Sequence, residues 1–240
     1  MREIFNRVED DGSNVNIEVK LDAEEYREGN PWLFSVFIKY DASKENEDFY
    51  EFLETKESLI RALEHGEKAL YVGMRIVDGW SELYFYAPDS RELDIIAKKQ
   101  LSDTGYLYES NVVRDSKWDF FHSQLLPTEI ELHHIQSSKI IFLLLEEGDT
   151  LMDVREVEHY IVFDTPSQKQ RFLDKVLDMG YTFKDDLSNE DYEHGVAITK
   201  EHNVTFDEVK TVVEELFALI KKENAYYEGW STVLITDEEE

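Results

Sequence analysis

Residues 69–86 read Ala69-Leu70-Tyr71-Val72-Gly73-Met74-Arg75-Ile76-Val77, then Asp78-Gly79, then Trp80-Ser81-Glu82-Leu83-Tyr84-Phe85-Tyr86. Both flanks are rich in β-branched and aromatic residues. The Asp-Gly pair between them tolerates the positive φ angles that a two-residue hairpin turn requires. A hairpin at this point makes the surrounding sheet antiparallel. On its N-terminal side Phe49, Phe52, Leu53, Leu59, Ile60 and Leu63 recur at helical spacing, and Gly66 stands where a left-handed cap would end the helix. Before that, Trp32 to Tyr40 is dense in aromatic and β-branched residues and reads as a buried strand. On the C-terminal side Asp89 with Glu92 resembles a capping pair ahead of Leu93, Ile96, Ala97 and Leu101, and Tyr106 to Val113 reads as a strand. The order over residues 31–114 is thus β-α-β-β-α-β, the split βαβ arrangement with two helices on one face of an antiparallel sheet. Val15, Ile17, Val19 and Leu21 alternate with polar residues and predict an edge strand.

Ser116 to Asp119 can cap a short helix holding Trp118, Phe120, Phe121 and Leu125 and stopped by Pro127. Thr128 with Glu131 forms a capping box for a helix that runs to Glu147 and ends at Gly148. That helix is read as a packed connector at 128–147, between a domain at 1–127 and another at 148–240. The order then recurs. Arg155 to Phe163 is a strand, Thr165-Pro166 starts a helix, and strands centred on Tyr181–Phe183 and Val196–Thr199 flank an acidic connection from Asp185 to Glu193. Thr205 with Glu208 looks like the best capping box in the chain, and Ala225 to Ile235 closes the unit as a strand before Asp237 to Glu240. The repeat lies in periodicity and not in residue identity. One literal echo, Asp78-Gly79-Trp80-Ser81 and Glu228-Gly229-Trp230-Ser231, falls at different places in the two units and is read as coincidence.

The 240 residues carry 25 Lys and Arg against 54 Asp and Glu, a formal charge of −29. Residues 1–127 hold 15 basic against 27 acidic residues and residues 128–240 hold 10 against 27, so neither half is a basic, RNA-reading module. Nucleic acids, whose nonspecific binding rests on Lys and Arg contacts to phosphate, are repelled. Partners should be basic, or neutral with a local patch. The 42% hydrophobic content suits a packed protein and not a disordered acidic chain. Cysteine is absent, which removes disulfides, thiolate metal sites and cysteine nucleophiles. The start lacks a signal-peptide core, and the longest strong apolar run, Ile140 to Leu145, is far short of the roughly 20 residues of a membrane span. A soluble cytoplasmic protein is expected.

Three segments of the second half resemble the B-type regulators of ribonuclease E activity. They are Gly148-Asp149 followed by Arg155-Glu156-Val157-Glu158-His159-Tyr160-Ile161-Val162-Phe163, then Phe172 to Phe183 with its Met179-Gly180-Tyr181 turn, then Tyr227-Glu228-Gly229-Trp230-Ser231-Thr232. The likeness covers residues 148–236. The first half resembles an uncharacterised domain often joined to that regulator, marked by Trp118-Asp119-Phe120-Phe121. The resemblance implies a ferredoxin-like α+β fold and a protein that binds the ribonuclease and lowers its activity. It carries no catalytic residues.

The candidate interaction or structural-motif residues are Arg155, Glu158, His159, Tyr227, Gly229, Trp230 and Trp118. Trp230 in particular is read as an aromatic anchor, because Trp and Tyr are enriched in binding hot spots. His159 is the best single functional histidine, although in a strand it faces away from Glu158. The plainer expectation is a half-buried His159 bonded to Arg155. No His-x-x-x-His pair places two ligands on one helical face, and Asp185 to Glu193 lacks the spacing and the glycine of a calcium loop. Phosphate-binding, dinucleotide and Gly-x-Ser-x-Gly motifs are absent. No metal or cofactor is expected. The aromatic strands at Tyr84–Tyr86 and Tyr226–Trp230 are flanked by acids, which argues for packing or a protein interface over RNA stacking.

The expectation is therefore an α+β protein of two tandem ferredoxin-like sandwiches with antiparallel sheets, joined by a helical connector. It is read as an acidic, non-enzymatic protein-binding regulator of a basic partner such as a ribonuclease. The alternative is a small-molecule binder or enzyme with a site between the domains, using His159, Arg155 and carboxylates.

Overall fold

The computed structural model describes residues 2–9, 11–44, 47–190 and 192–236. The acidic tail from Asp237 lies outside them. The chain divides into two compact units, Met1–Pro127 and Thr128–Glu240, each an antiparallel sheet with helices.

The first unit contains β1 (Arg2–Val8), β2 (Asn14–Lys20), β3 (Trp32–Ile38), α1 (Phe49–Glu64), β4 (Leu70–Val77), β5 (Trp80–Ala87), α2 (Leu93–Leu101) and β6 (Tyr108–Arg114). Its six strands lie in the order β1-β2-β4-β5-β3-β6, and every neighbouring pair is antiparallel. Asp78 and Gly79 both take positive φ, 51° and 74°, as a type I′ hairpin needs. Helices α1 and α2 cover one face, burying Phe52, Leu59, Leu63, Leu93 and Ala97 against Phe34, Val36, Tyr71 and Phe85. The segment after β6 covers part of the other face, where Trp118 stacks on Tyr86 at 3.9 Å and Phe120 packs on Tyr84 at 4.4 Å with the rings tilted by 42°.

Three local readings of this unit change. The strand at Val15–Leu21 is not an edge, because β1 pairs outside it. That outer strand mixes charged Arg2, Glu3 and Arg7 with exposed Ile4 and Val8, and Phe5 is its buried apolar side chain, so no apolar alternation marks it. Helix α2 has no side-chain cap; Glu92 adopts φ 66°, Asp89 is taken up by Arg91 and Glu92 by Lys68. The turn after β6 is capped by Asp115, whose carboxylate accepts the amides of Asp119 and Phe120 at 3.0 Å each, and its helical part is a π-type turn at Phe121–Leu125.

The second unit contains α3 (Glu129–Glu146), β7 (Arg155–Phe163), α4 (Pro166–Asp178), β8 (Thr182–Leu187), β9 (His194–His202), α5 (Phe206–Glu223) and β10 (Tyr226–Thr232). The sheet order is β10-β7-β9-β8, again wholly antiparallel. All three helices contribute to one core, in which Ile141, Phe172, Val176, Val212, Val213 and Leu216 pack on Val157, Ile161, Phe163 and Ile198. The capping box at Thr128 and Glu131 is formed in both directions. The one at Thr205 is not: its hydroxyl donates to Asn203 at 2.8 Å and leaves the helix amides alone. Asp185 and Asp186 belong to β8, after a bulge that follows Phe183, and not to the acidic connection.

Candidate functional site

In a strand, alternate side chains face opposite ways. Along β7 this turns Arg155, Val157, His159, Ile161 and Phe163 toward the helices and Glu156, Glu158 and Tyr160 away from them. The candidate residues therefore separate into a buried set and an outer set.

Arg155 does not bond His159. Its guanidinium forms a bidentate pair with Asp149, one arm with Nη2 to Oδ1 at 2.9 Å and the other between Nη1 and Oδ2, with both side chains sealed from solvent. Asp149 also accepts the amides of Leu151 at 2.7 Å and Ile235 at 2.9 Å, while Arg155 donates to the carbonyl of Val233 at 3.1 Å. The Arg155 hydrogen bonds hold the Asp149 carboxyl down to about 2. These two residues clasp the chain after β10 to the loop that precedes β7.

His159 is 1% exposed, not half-buried, since the core closes over it. Its Nδ1 lies 2.8 Å from the Tyr227 hydroxyl, and its ring stacks 5.9 Å from that of His202. Burial, with His202 as a second cause, pulls its pKa down to about 3, so the imidazole is neutral. Burial likewise raises the Tyr227 hydroxyl and lowers His202. The Nε2 atoms of both histidines are buried without a hydrogen-bond partner. Such a pair, with His159 1% and His202 6% exposed, can specify packing.

Trp230 is equally inward: its indole N–H donates to Ser137 of α3 at 2.9 Å. It packs the core and is not available as a docking anchor. Gly229, φ 121°, follows a bulge after Tyr227 that leaves Glu228 out of the pairing. Trp118, in the first unit, is fully buried at φ 59° and donates to the carbonyl of Asn30 at 2.8 Å, which is a packing role.

Of the candidates, Glu158 reaches the outer face, where Lys184 binds it together with Glu156 and Tyr160 donates to it at 3.2 Å. Sequence reasoning did not find the open depression of about 690 Å³ beside this sheet, between the ends of β7 and β10 and the loop before β9. Asp164, Glu190, Glu193 and Glu228 line it with Tyr192 and Tyr226. The acidic connection was the available signal, but no spacing rule brings Glu190 to the same depression as Asp164 and Glu228. Among the described residues no group of three or more His, Asp or Glu could hold a metal ion, and no helix is long and apolar enough to cross a membrane.

With this geometry in place, the comparisons with known proteins divide the chain in the same two parts. The family model described as Family of unknown function (DUF695) matches residues 3–126. That described as Regulator of ribonuclease activity B matches residues 134–232. No curated protein matches the chain. Among solved structures, the crystal structure of an unknown protein from Galdieria sulphuraria is similar at 10% identity, over 85% of this chain and 98% of that one, with a TM-score of 0.23.

Proposed function

We propose, for a chain that belongs to the Family of unknown function (DUF695) through its first half, that it is an acidic, non-enzymatic regulator which binds a ribonuclease and lowers its activity. The observation that carries this reading is the match of Regulator of ribonuclease activity B to residues 134–232, a span that runs from α3 to the end of β10 and includes the whole second sheet. The charge supports it. At −29 the chain is suited to a basic protein surface and repelled by RNA, so the ribonuclease and not its substrate is the partner. The side chains best suited to chemistry, Arg155 and His159, are committed to Asp149 and Tyr227 inside the core. The outer face of the second sheet, with Glu156 and Glu158, is the more suitable contact surface.

In this reading each unit is a ferredoxin-like sandwich. The strand orders β4-β5-β3-β6 and β8-β9-β7-β10, with two crossing helices each, support that assignment. The division is a domain at 1–127, a connecting helix at 128–147 packed with the second unit, and the regulator-like domain at 148–240. The setting is the cytoplasm.

The test is to add the purified full chain to a bacterial ribonuclease cleaving a fluorogenic RNA and to measure capture of the enzyme in parallel. Inhibition together with capture that weakens steeply from low to moderate salt is expected. Unchanged cleavage without capture at either salt, or tight binding of the RNA by this chain, would overturn the proposal.

A further inference from the structure

At one corner of the second unit the apolar surface is concentrated instead of scattered. Phe142, near the end of α3, and Phe206, which opens α5, hold their rings 5.3 Å apart with both side chains accessible. The loop before β7 adds Met152 and Val154, 67% and 66% exposed, and the chain after β10 adds Val233 and Leu234. These segments are bonded to one another. Asp149 takes the Ile235 amide, Arg155 donates to the Val233 carbonyl, and the Val204 amide ahead of α5 donates to Leu151 at 3.0 Å. Leu151 itself sits at φ 65°, a conformation a leucine adopts only where its surroundings impose it. The six side chains are half of the large exposed apolar residues described in this unit, where isolated ones would call for no explanation.

Charge identifies the occupant. The carboxylates of Glu146, Glu147, Asp153, Glu201 and Asp207 are exposed around these segments without a Lys or Arg partner among the described residues. Of the cations here, Arg155 is consumed by Asp149 and Lys210 lies 4.0 Å from Glu214, and together with Lys139 of α3 they are outnumbered by the carboxylates. An anionic lipid surface would be repelled, and a second copy of this chain would bring the same carboxylates into contact. We propose that this corner docks a cationic amphipathic segment of the partner protein, with apolar side chains flanked by Lys or Arg; the proposal rests on the regulator reading above.

A fluorescein-labelled Leu/Lys helix of roughly five turns with one apolar face, and a scrambled peptide of equal composition, serve as probes. Both are titrated with the full chain, with a Phe142→Asp/Met152→Asp variant, with a Val154→Asp/Val233→Asp variant in case the first fails to fold, and with an Ile4→Asp/Val8→Asp control on exposed β1. The wild type should bind the amphipathic peptide roughly tenfold more tightly than the scrambled one, and the corner variants should lose roughly tenfold while the control keeps its affinity. Each Asp adds negative charge, so that loss reports the apolar contact. Equal binding of both peptides, unchanged binding by the corner variants, or self-association of the wild type that the corner variants abolish would overturn the proposal. The same proteins go into the ribonuclease assay. A corner variant that inhibits like the wild type removes the dock and leaves the regulator; a wild type that never inhibits removes the regulator, and the peptide titration still decides the dock.

Discussion

Each unit buries an ion pair, and in both the pair sits where a segment outside the β-α-β-β-α-β order is attached. In the first unit Glu18 of β2 meets Lys56 of α1 and the Tyr71 hydroxyl at 2.8 Å, while Arg2 of β1 approaches Glu18 at 3.6 Å. This fastens the added hairpin β1–β2 to the helix layer. In the second unit Asp149 and Arg155 fasten the chain after β10. A buried charge costs several kcal/mol to desolvate and is tolerated only with well-placed partners, so such a pair is directional where apolar contact is not. The two differ in redundancy. Glu18 has three side-chain partners, whereas the Asp149 carboxylate has a single cation and two backbone amides.

That difference is exposed most strongly by Arg155→Met. It leaves Asp149 charged and enclosed, and the second unit should lose about 3–5 kcal/mol, read by hydrogen exchange, with the first unit unaffected. Equal loss in both units would mean they unfold as one. Lys56→Met should cost the first unit less, about 2–3 kcal/mol, because Tyr71 and Arg2 still bond Glu18. A cost as large as that of Arg155→Met would show the redundancy to be irrelevant.

The units should also part company in mild acid. His159 and His202 are buried neutral with lowered pKa, so their contribution is complete above the unfolded value of about 6.5 and is lost as pH falls below it. His159, held to about 3, should cost the second unit about 1 kcal/mol between pH 7 and 5.5, and His202 adds to that loss in the same direction. The histidines of the first unit, His65 and His122, are not buried. Asp149, held to about 2, contributes unchanged through that window and is lost only as pH falls from the carboxylate range toward 2. A urea titration across pH 7 to 5.5 that destabilises both units equally, or a His159→Gln variant with the wild-type slope, would contradict the assignment.

The smallest contrast lies within the second unit. Thr128→Ala removes a formed capping box and should cost about 1 kcal/mol, while Thr205→Ala should cost under about half of that. These two threonines show how far the sequence could be read. Both carry Glu three residues on, so the pattern is identical; in one of them Asn203, two residues earlier, competes for the hydroxyl. Spacing does not report a rival hydrogen bond. The hairpin at 69–86 was legible because its apolar alternation and its Asp-Gly turn agree. β1 was not, because its charged side chains find partners only across the fold, as Arg2 does with Glu57. The two parts of the chain were readable from motifs, whereas the inward direction of Trp230 and the partner of His159 depend on register between strands.

Register also gives the Tyr227-Glu228-Gly229-Trp230 stretch its meaning. Tyr227 and Trp230 are three positions apart, an odd interval that would send them to opposite sides of a regular strand. The bulge between Tyr227 and Gly229 leaves Glu228 out of the pairing, so Tyr227 stands opposite Ile161 and Trp230 opposite His159, both on the inner side. The extra residue, Glu228, acts as a reading-frame shift for the strand next to a glycine at φ 121°, and without it one of the two rings would be written onto the wrong page.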